Sequence, residues 1–297
     1  MNNVAVCSTT FYPKWEDRAD KLSEPRRDNE DNLRGDLAIA TIKTVVEKGY
    51  QLLVVDGGSP EAFRKAVLEV CGDSVNFRPQ KERGLGPSRQ QAFAEAGELS
   101  GVERIAFTLA ERLDFAHRGL DTALAAFEER NLDMMLVGRQ SLDSLPDRQA
   151  ESERRCHRFI DGTLTHFGIL DEAEKGKWDW FSGYHFFKNT PQVQAVLAKR
   201  YGFTGNPEKY PLEKYVNPDL YSNALYFPLV HALNSSEMSV GTMKVDYIHP
   251  KEMKDFEESG PDINLDRRKI QRAEICISFL HYARMLKGND SGLSLQK

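Results

Sequence analysis

The chain has 297 residues, of which 40% are hydrophobic and 29% charged, an ordinary globular composition that can bury a substantial core. Its formal net charge of −5 argues against a nucleic-acid partner, and no apolar run approaches the ~20 residues that cross a bilayer, so no membrane span is expected. Four cysteines without metal-type spacing indicate free thiols and a cytoplasmic location.

The first half alternates short apolar strands with helices. Strands are predicted at 3–10, 52–60 (where the strand breaks into a turn), 74–78, 104–110 and 133–138, and helices at 36–48, 60–71, 83–96 and 118–130. The charged segment 14–35 has no steady period and is predicted to be a loop. This repetition predicts an α/β fold with a mainly parallel, twisted sheet and helices on both faces.

The second half changes character but contains no clean linker, so the chain is predicted to form one domain, 1–297. A long helix is predicted over 146–168, followed by an aromatic cluster at 177–187. The remaining predictions are helices at 218–234 and 266–286, a strand at 242–248 and a frayed tail at 288–297.

Ligands of parallel α/β sheets bind at the carboxyl ends of the strands, so the loops that follow the strands are the places to look for chemistry. Three of these loops carry suggestive motifs: Asp56-Gly57-Gly58-Ser59, then Gly84-Leu85-Gly86-Pro87-Ser88-Arg89 entering a helix, then Leu109-Ala110-Glu111. The glycines permit close backbone approach, the helix start offers amides to a phosphate, and Arg89 adds a charge-assisted contact. Asp56 could accept hydrogen bonds from a base or ribose, and Glu111 could contact a metal ion or a sugar hydroxyl.

Each motif alone is weak. The Asp56 turn is also an ordinary strand-to-helix connection. The glycine loop lacks the lysine of a Walker A loop, and it follows the third strand rather than the first. The turn after the first strand is Ser8-Thr9-Thr10-Phe11, which contains no glycine. This argues against a dinucleotide-binding fold and against a methyltransferase.

Taken in order, the motifs resemble the GT-A glycosyltransferases. Their signature is a strand ending in DGS, then N-x-G-x-x-x-A-R-N opening a helix, then a strand ending in D-x-D. This chain has VVDGGS, RGLGPSRQQAFAEA and IAFTLAE at matching intervals. The resemblance implies that the first loops hold a nucleotide-diphosphate sugar. The donor-binding residues would be Thr9, Asp56, Gly84, Gly86, Arg89 and Arg112.

The second half is similar in outline to the retaining mannosylglycerate synthases, through RFIDGTLTHFG, W-x-W-x-SG, PDLYSNALYF and VDYIHPKEM. The resemblance implies that His249 binds the metal and that Asp219 shapes the acceptor site. Asp179, between two tryptophans, could present a carboxylate against a sugar-stacking wall, or the tryptophans could be core and Asp179 a turn residue. His249 could equally be structural, and Asp219 could be a helix N-cap.

One departure concerns the D-x-D position, which reads Leu109-Ala110-Glu111 with Arg112 next. Only Glu111 could replace an acid of the motif, so Mn²⁺ or Mg²⁺ would have Glu111 and His249 as its protein ligands. We therefore expect metal dependence to be weaker than is usual for this fold, with Arg112 supplying part of the missing positive charge. Alternatively, Glu111 and Arg112 are a solvated helix start.

The sequence thus predicts a glycosyltransferase that moves a sugar from a nucleotide-diphosphate donor to an unknown acceptor. Residues 1–138 would form the nucleotide-binding half and 139–297 the acceptor half, with Glu111, Asp179 and Asp219 as the catalytic residues. The alternative from another class is a non-catalytic nucleotide-sugar-binding or partner-binding protein on a degenerate GT-A scaffold, which the missing acid supports. A sugar nucleotidyltransferase ranks last, because STTFYPK lacks the glycines after the first strand.

Overall fold

The computed structural model describes residues 3–203, 221–235, 237–259, 262–288 and 293–296. Its strands are β1 (Val4–Thr10), β2 (Gln51–Asp56), β3 (Val75–Pro79), β4 (Arg104–Phe107), β5 (Met134–Arg139), β6 (Tyr184–Lys188), β7 (Arg200–Phe203), β8 (Val240–Val245) and β9 (Leu293–Gln296). Seven of them form one sheet in the order β3-β2-β1-β4-β6-β5-β8, and β7 pairs with β9.

The main sheet is parallel except for one strand. β1 pairs in parallel with β2 and β4, β2 with β3, and β5 with β8. β6 lies between β4 and β5 and is antiparallel to both. The predicted mainly parallel sheet is therefore confirmed.

Helices cover both faces of this sheet, as predicted. They are α1 (Glu30–Glu47), α2 (Glu61–Cys71), α3 (Leu85–Gly97), α4 (Leu120–Glu129), α5 (Asp147–His166), α6 (Pro191–Leu197), α7 (Tyr221–Asn234), α8 (Lys251–Ser259) and α9 (Asp262–Leu286). Alternate residues of β1 enter different cores: Ala5 packs with side chains of α3, α5, α7 and α9, whereas Val6 packs with those of α1, α2 and α4. A strand buried on both faces explains why the sequence shows a continuous apolar run there.

The predicted loop at 14–35 was wrong from Glu30 onward, where α1 already begins. Asn29 caps this helix, because its side chain accepts a hydrogen bond from the Asn32 amide at 2.7 Å. Within the helix, buried Asp36 accepts hydrogen bonds from Arg26 at 2.9 and 3.0 Å. The preceding segment thus supplies the partners of a helical carboxylate, which is a tertiary contact that the charge pattern does not reveal.

The aromatic cluster at 177–187 contains β6, which the sequence did not predict. The strand is short, and it pairs with two distant partners: Phe187 lies opposite Ile105 in β4 and opposite Met134 in β5. The short helices α6 and α8 and the pairing of β9 within the predicted frayed tail were also missed. No helix in the described parts of the chain is long and apolar enough to span a membrane.

Candidate functional site

A cleft opens at the carboxyl ends of β1 to β4, where the sequence places its three motifs. Its first chamber has a volume of about 510 Å³ and is lined by Thr9, Thr10, Phe11, Arg34, Gly57, Gln80, Arg83, Gly84, Leu85, Ser88, Arg89, Leu109 and Glu111. Thr9, Gly84, Arg89 and Glu111, all predicted site residues, therefore come together around one space. This is the position at which parallel α/β sheets bind their ligands.

The glycine loop and the start of α3 form one wall of the first chamber. Gly84 precedes the helix with a φ of +122°, which is a conformation that residues with a Cβ rarely adopt. The Gln80 side chain holds this loop by donating to the carbonyl of Gly84 at 2.8 Å and to that of Glu82 at 2.6 Å. No side chain caps α3, so the amides of Leu85 and predicted Gly86 have no partner within the helix, whereas Pro87 has no amide hydrogen. Leu85 lines the first chamber and Gly86 does not.

Asp56 shapes the turn after β2. Its Oδ1 accepts hydrogen bonds from the hydroxyls of Thr10 and Ser59, both at 2.7 Å, and its Oδ2 accepts from the amides of Gly58 and Ser59. Gly57 then lines the chamber, where a Cβ would lie 2.6 Å from Oε1 of Gln80. The carboxylate of Asp56 thus fixes the loop that borders the chamber.

Glu111 is paired with an arginine that the sequence analysis missed. Arg34 of α1 donates from Nε and Nη2 to Oε1 of Glu111 at 2.9 and 2.6 Å, and the Tyr12 hydroxyl donates to the same oxygen at 2.9 Å. Burial raises the pKa of Glu111, but the charges of Arg34 and Arg112 outweigh it and hold that pKa below its ordinary value. The only signal for Arg34 was its place in the charged segment that was predicted to be a loop.

Arg89 supplies a second positive charge to the first chamber. It is 7% exposed, and its guanidinium lies over the Phe107 ring, 5.4 Å from the centroid. Burial and the charge of Arg89 lower the pKa of neighbouring His185 to about 3, so His185 is neutral near pH 7. Arg89 rather than His185 is therefore the cation of this wall.

A second chamber of about 770 Å³ continues from the first and shares Phe11, Arg34, Leu85, Arg89, Leu109 and Glu111 with it. Predicted Arg112 lines this chamber, and Phe181 and Gly183, just before β6, border it. Because β6 is antiparallel, the segment that precedes it lies at the edge where β4 and β5 end. The cleft is therefore bounded by both halves of the chain.

The predicted metal ligands Glu111 and His249 do not form a ligand set. Nη1 of Arg112 donates to Nδ1 of His249 at 2.8 Å, which occupies the lone pair that a metal would need. The other ring nitrogen faces Glu257, 3.5 Å from its Oε2. With Arg34 on Glu111 as well, cations occupy the places where a divalent ion would be held.

A different acidic group has metal-like spacing. Ligand atoms of Glu153, His157 and Asp179 lie within 4.8 Å of one another. The same two carboxylates bind Arg139: Nη2 donates to Glu153 at 2.7 Å, and Nε donates to Asp179 at 2.7 Å. An arginine therefore already pairs with both carboxylates of this group.

Asp179 lines a separate cavity of about 420 Å³, which we call the Arg139 cavity and which shares no lining residue with the cleft. Burial raises the pKa of Asp179, but the charge and hydrogen bonds of Arg139 outweigh it and hold that pKa well below its usual range. Trp178 and Trp180 stack on each other at 5.2 Å and are 4% and 0% exposed. The structure thus places both tryptophans in the core, and predicted Asp219 lies outside the described residues.

Comparisons with known proteins add a weak likeness of shape. Neither the scan of protein-family models nor the search of curated proteins yields a match. Among solved structures, the inositol-1-phosphate CTP transferase from T. maritima is 11% identical with a TM-score of 0.46, covering 92% of this chain and 96% of that one. S. aureus TarS 1-349 is 10% identical with a TM-score of 0.44, covering 95% and 72%. The 4-diphosphocytidyl-2C-methyl-D-erythritol synthase from Anaerococcus prevotii DSM 20548 is 10% identical with a TM-score of 0.42, covering 84% and 94%. At these scores the likeness says nothing about activity.

Proposed function

We propose that this chain is a GT-A-type glycosyltransferase that takes a sugar from a nucleotide-diphosphate donor bound in the cleft. The observation that carries the proposal is the joint position of Arg34, Arg83, Arg89 and the uncapped start of α3 around the first chamber. Guanidinium groups and helix-start amides are the groups that proteins use for phosphate. The volume of about 510 Å³ is that of an ordinary small-molecule site.

Different residues of the cleft would contact the nucleoside, the diphosphate and the sugar of the donor. Thr9 and the Asp56 turn would border the nucleoside, and Arg89 with the Gly84 loop would neutralise the diphosphate. Glu111 would orient the donor sugar. Because negative charge develops on the departing diphosphate, preorganised positive charge at that point is the term that should dominate catalysis. This assigns residues 1–138 to nucleotide binding.

The acceptor would enter from the second chamber, which residues of the 139–297 half border. The similarity to mannosylglycerate synthases supports an acceptor role for Asp219, and Asp179 is the second acidic candidate for the acceptor side. Asp179 itself lies in the Arg139 cavity, so it would act on the acceptor through the segment 178–183, which reaches the second chamber at Phe181 and Gly183. We place the reaction in the cytoplasm.

Calorimetry with a panel of nucleoside diphosphates tests the proposal. Arg89→Ala should weaken binding roughly ten- to a hundredfold, because one charge-assisted contact contributes about 1.5–3 kcal/mol. Asp56→Ala should also weaken binding, because the loop that borders the chamber loses the carboxylate that fixes it. Arg155→Ala, at an exposed position paired with Glu151, is the matched control and should bind normally. Urea unfolding of each variant separates a binding defect from a folding defect. Unchanged affinity in both cleft variants would reject the proposal.

The salt bridge between Arg34 and Glu111 favours a second candidate, a protein that binds a nucleotide sugar without turnover. Glu111, the one acid at the position where the GT-A signature has two, is already paired with Arg34. Product analysis distinguishes the candidates. Release of nucleoside diphosphate from the bound donor supports glycosyl transfer, and binding without release supports the second candidate. Release of pyrophosphate from a nucleoside triphosphate and a sugar phosphate would instead indicate nucleotidyl transfer.

A further inference from the structure

Arg34 and Arg112, which both line the cleft, differ in the partners of their guanidinium groups. Arg34 is bound to the carboxylate of Glu111. Arg112, the next residue along, donates from Nη1 to the Tyr247 hydroxyl and to Nδ1 of His249, both at 2.8 Å. None of the described carboxylates forms an ion pair with Arg112, which nevertheless lines the second chamber. Its charge is held in place by neutral groups and is not cancelled by a contacting acid.

The hydrogen bond from Arg112 fixes the tautomer of His249. A guanidinium can only donate, so Nδ1 accepts and the remaining ring hydrogen sits on Nε2. That nitrogen faces Oε2 of Glu257 at 3.5 Å, and the other oxygen of Glu257 binds Arg268. His249 is 3% exposed, and its amide donates to the Ser144 hydroxyl at 3.0 Å. The imidazole is therefore a rigid neutral link between Arg112 and the Glu257 carboxylate.

A divalent ion does not fit among these groups. It would need the lone pair that Nδ1 of His249 gives to Arg112, and it would have to sit beside two guanidiniums. Oε1 of Glu111 already accepts three hydrogen bonds, from Tyr12 and Arg34. Arg112, by contrast, can turn its remaining donors toward an oxyanion in the cleft without losing its two neutral partners.

We propose that Arg112 takes the place of a divalent metal ion at the leaving diphosphate, and that His249 is a positioning residue for Arg112 rather than a metal ligand. The assignment rests on the proposed glycosyl transfer. In that step the acceptor oxygen bonds to the anomeric carbon, and the bond from that carbon to the diphosphate oxygen breaks. The electron pair stays on the diphosphate, the acceptor proton goes to solvent, and the guanidinium of Arg112 stabilises the new charge.

The test is calorimetry of the same nucleoside diphosphate panel, first with chelator and then with Mn²⁺. The best-bound diphosphate should bind wild-type protein with the same affinity in both conditions. Arg112→Gln should weaken it roughly ten- to a hundredfold. His249→Leu should cause a loss of similar size, whereas His249→Asn should restore most of the affinity, because its amide oxygen can take the position of Nδ1. Tyr247→Phe removes the other acceptor with little change in shape and should weaken binding less than His249→Leu.

Controls keep the outcomes separate. His166→Leu and His166→Asn, at an exposed position on α5, should bind like wild type, and urea midpoints should show that each variant folds. Wild-type binding that requires Mn²⁺, with His249→Asn as weak as His249→Leu, would overturn the assignment while leaving the proposed function intact. Absence of binding for every diphosphate in both conditions would overturn the proposed function and this assignment with it.

Discussion

Glu111 and Asp179 are both buried carboxylates paired with an arginine, yet they are built differently. Every hydrogen bond that a side chain donates to Glu111 ends on Oε1, and its partner Arg34 is 35% exposed at an open cleft. Asp179 accepts from Arg139 on both oxygens, and Arg139 is only 5% exposed. The first arrangement leaves Oε2 of Glu111 without a side-chain donor among the described residues. The second is saturated, which is what a structural anchor requires.

The buried group of Arg139, Asp179 and Glu153, which we call the anchor, also contains more charged side chains than the pair of Arg34 and Glu111. One guanidinium, Arg139, serves two carboxylates, Asp179 from the turn before β6 and Glu153 from α5. Replacing such a group by apolar side chains is often harmless, but removing only its cation leaves uncompensated buried charge. The contrast between the two sites can therefore be measured as a difference in stability.

The largest expected effect comes from removing the cation of the anchor. Arg139→Met should lower the free energy of unfolding by about 3–5 kcal/mol, because Glu153 and Asp179 would remain buried without their partner. Urea unfolding followed by tryptophan fluorescence measures the loss. Arg155→Met is the matched control on α5, because its pair with Glu151 is exposed on both sides, and it should stay within about 0.5 kcal/mol of wild type. A loss below about 1 kcal/mol for Arg139→Met would contradict the anchor role.

A smaller effect on stability is expected at the cleft. Glu111→Gln should lower the free energy of unfolding by only about 1 kcal/mol, because partly exposed Arg34 can be solvated when the charge is lost. Turnover should nevertheless fall roughly ten- to a hundredfold, the equivalent of one charge-assisted contact in the transition state. Parallel unfolding and product-release assays measure both quantities. A variant that unfolds as easily as Arg139→Met but turns over normally would reverse the assignment of the two sites.

The smallest expected effect is on how steeply the free energy of unfolding falls at acidic pH in two variants. The pKa values of Asp179 and Glu111 are both lowered in the folded state, so their stabilisation is present above the unfolded values of 3.8 and 4.5 and is lost as the pH falls below them. Asp179 accepts side-chain hydrogen bonds on both oxygens, whereas Glu111 accepts them on one. Asp179→Asn should therefore flatten the loss of unfolding free energy between neutral and acidic pH more than Glu111→Gln does. Equal slopes for the two variants would remove the distinction.

Part of this site could be predicted because it follows a rule of position. Thr9 lies at the end of β1, Gly84 and Glu111 lie in the loops after β3 and β4, and Arg89 lies in the second turn of α3, and parallel strands end at one edge. Arg34 could not be predicted in this way. It lies 77 residues from Glu111 in a charged segment without periodicity, so only the packing of α1 against the sheet brings the two together.

The same limit applies to Asp179. The pattern Trp-Asp-Trp fits a sugar-binding wall and a buried turn equally well, and the deciding partner, Arg139, lies 40 residues earlier. The sheet itself was predicted well where strands bury both faces and show continuous apolar runs. β6 was missed because its five residues have no period of their own and are stabilised by strands far along the chain.

The place of β6 between β4 and β5 has a consequence for synthesis of the chain on the ribosome. β1 to β4 can pair with one another as soon as they emerge, but β4 must keep one edge bare until residues 184–188 have been made. β5 emerges earlier than its neighbour β6, and it has no native partner on either side at that point. Bare parallel edges invite pairing with other chains. A nascent chain that pauses between β5 and β6 therefore exposes one edge of β4 and both edges of β5, and the pairing of these edges with other chains is a route to aggregation.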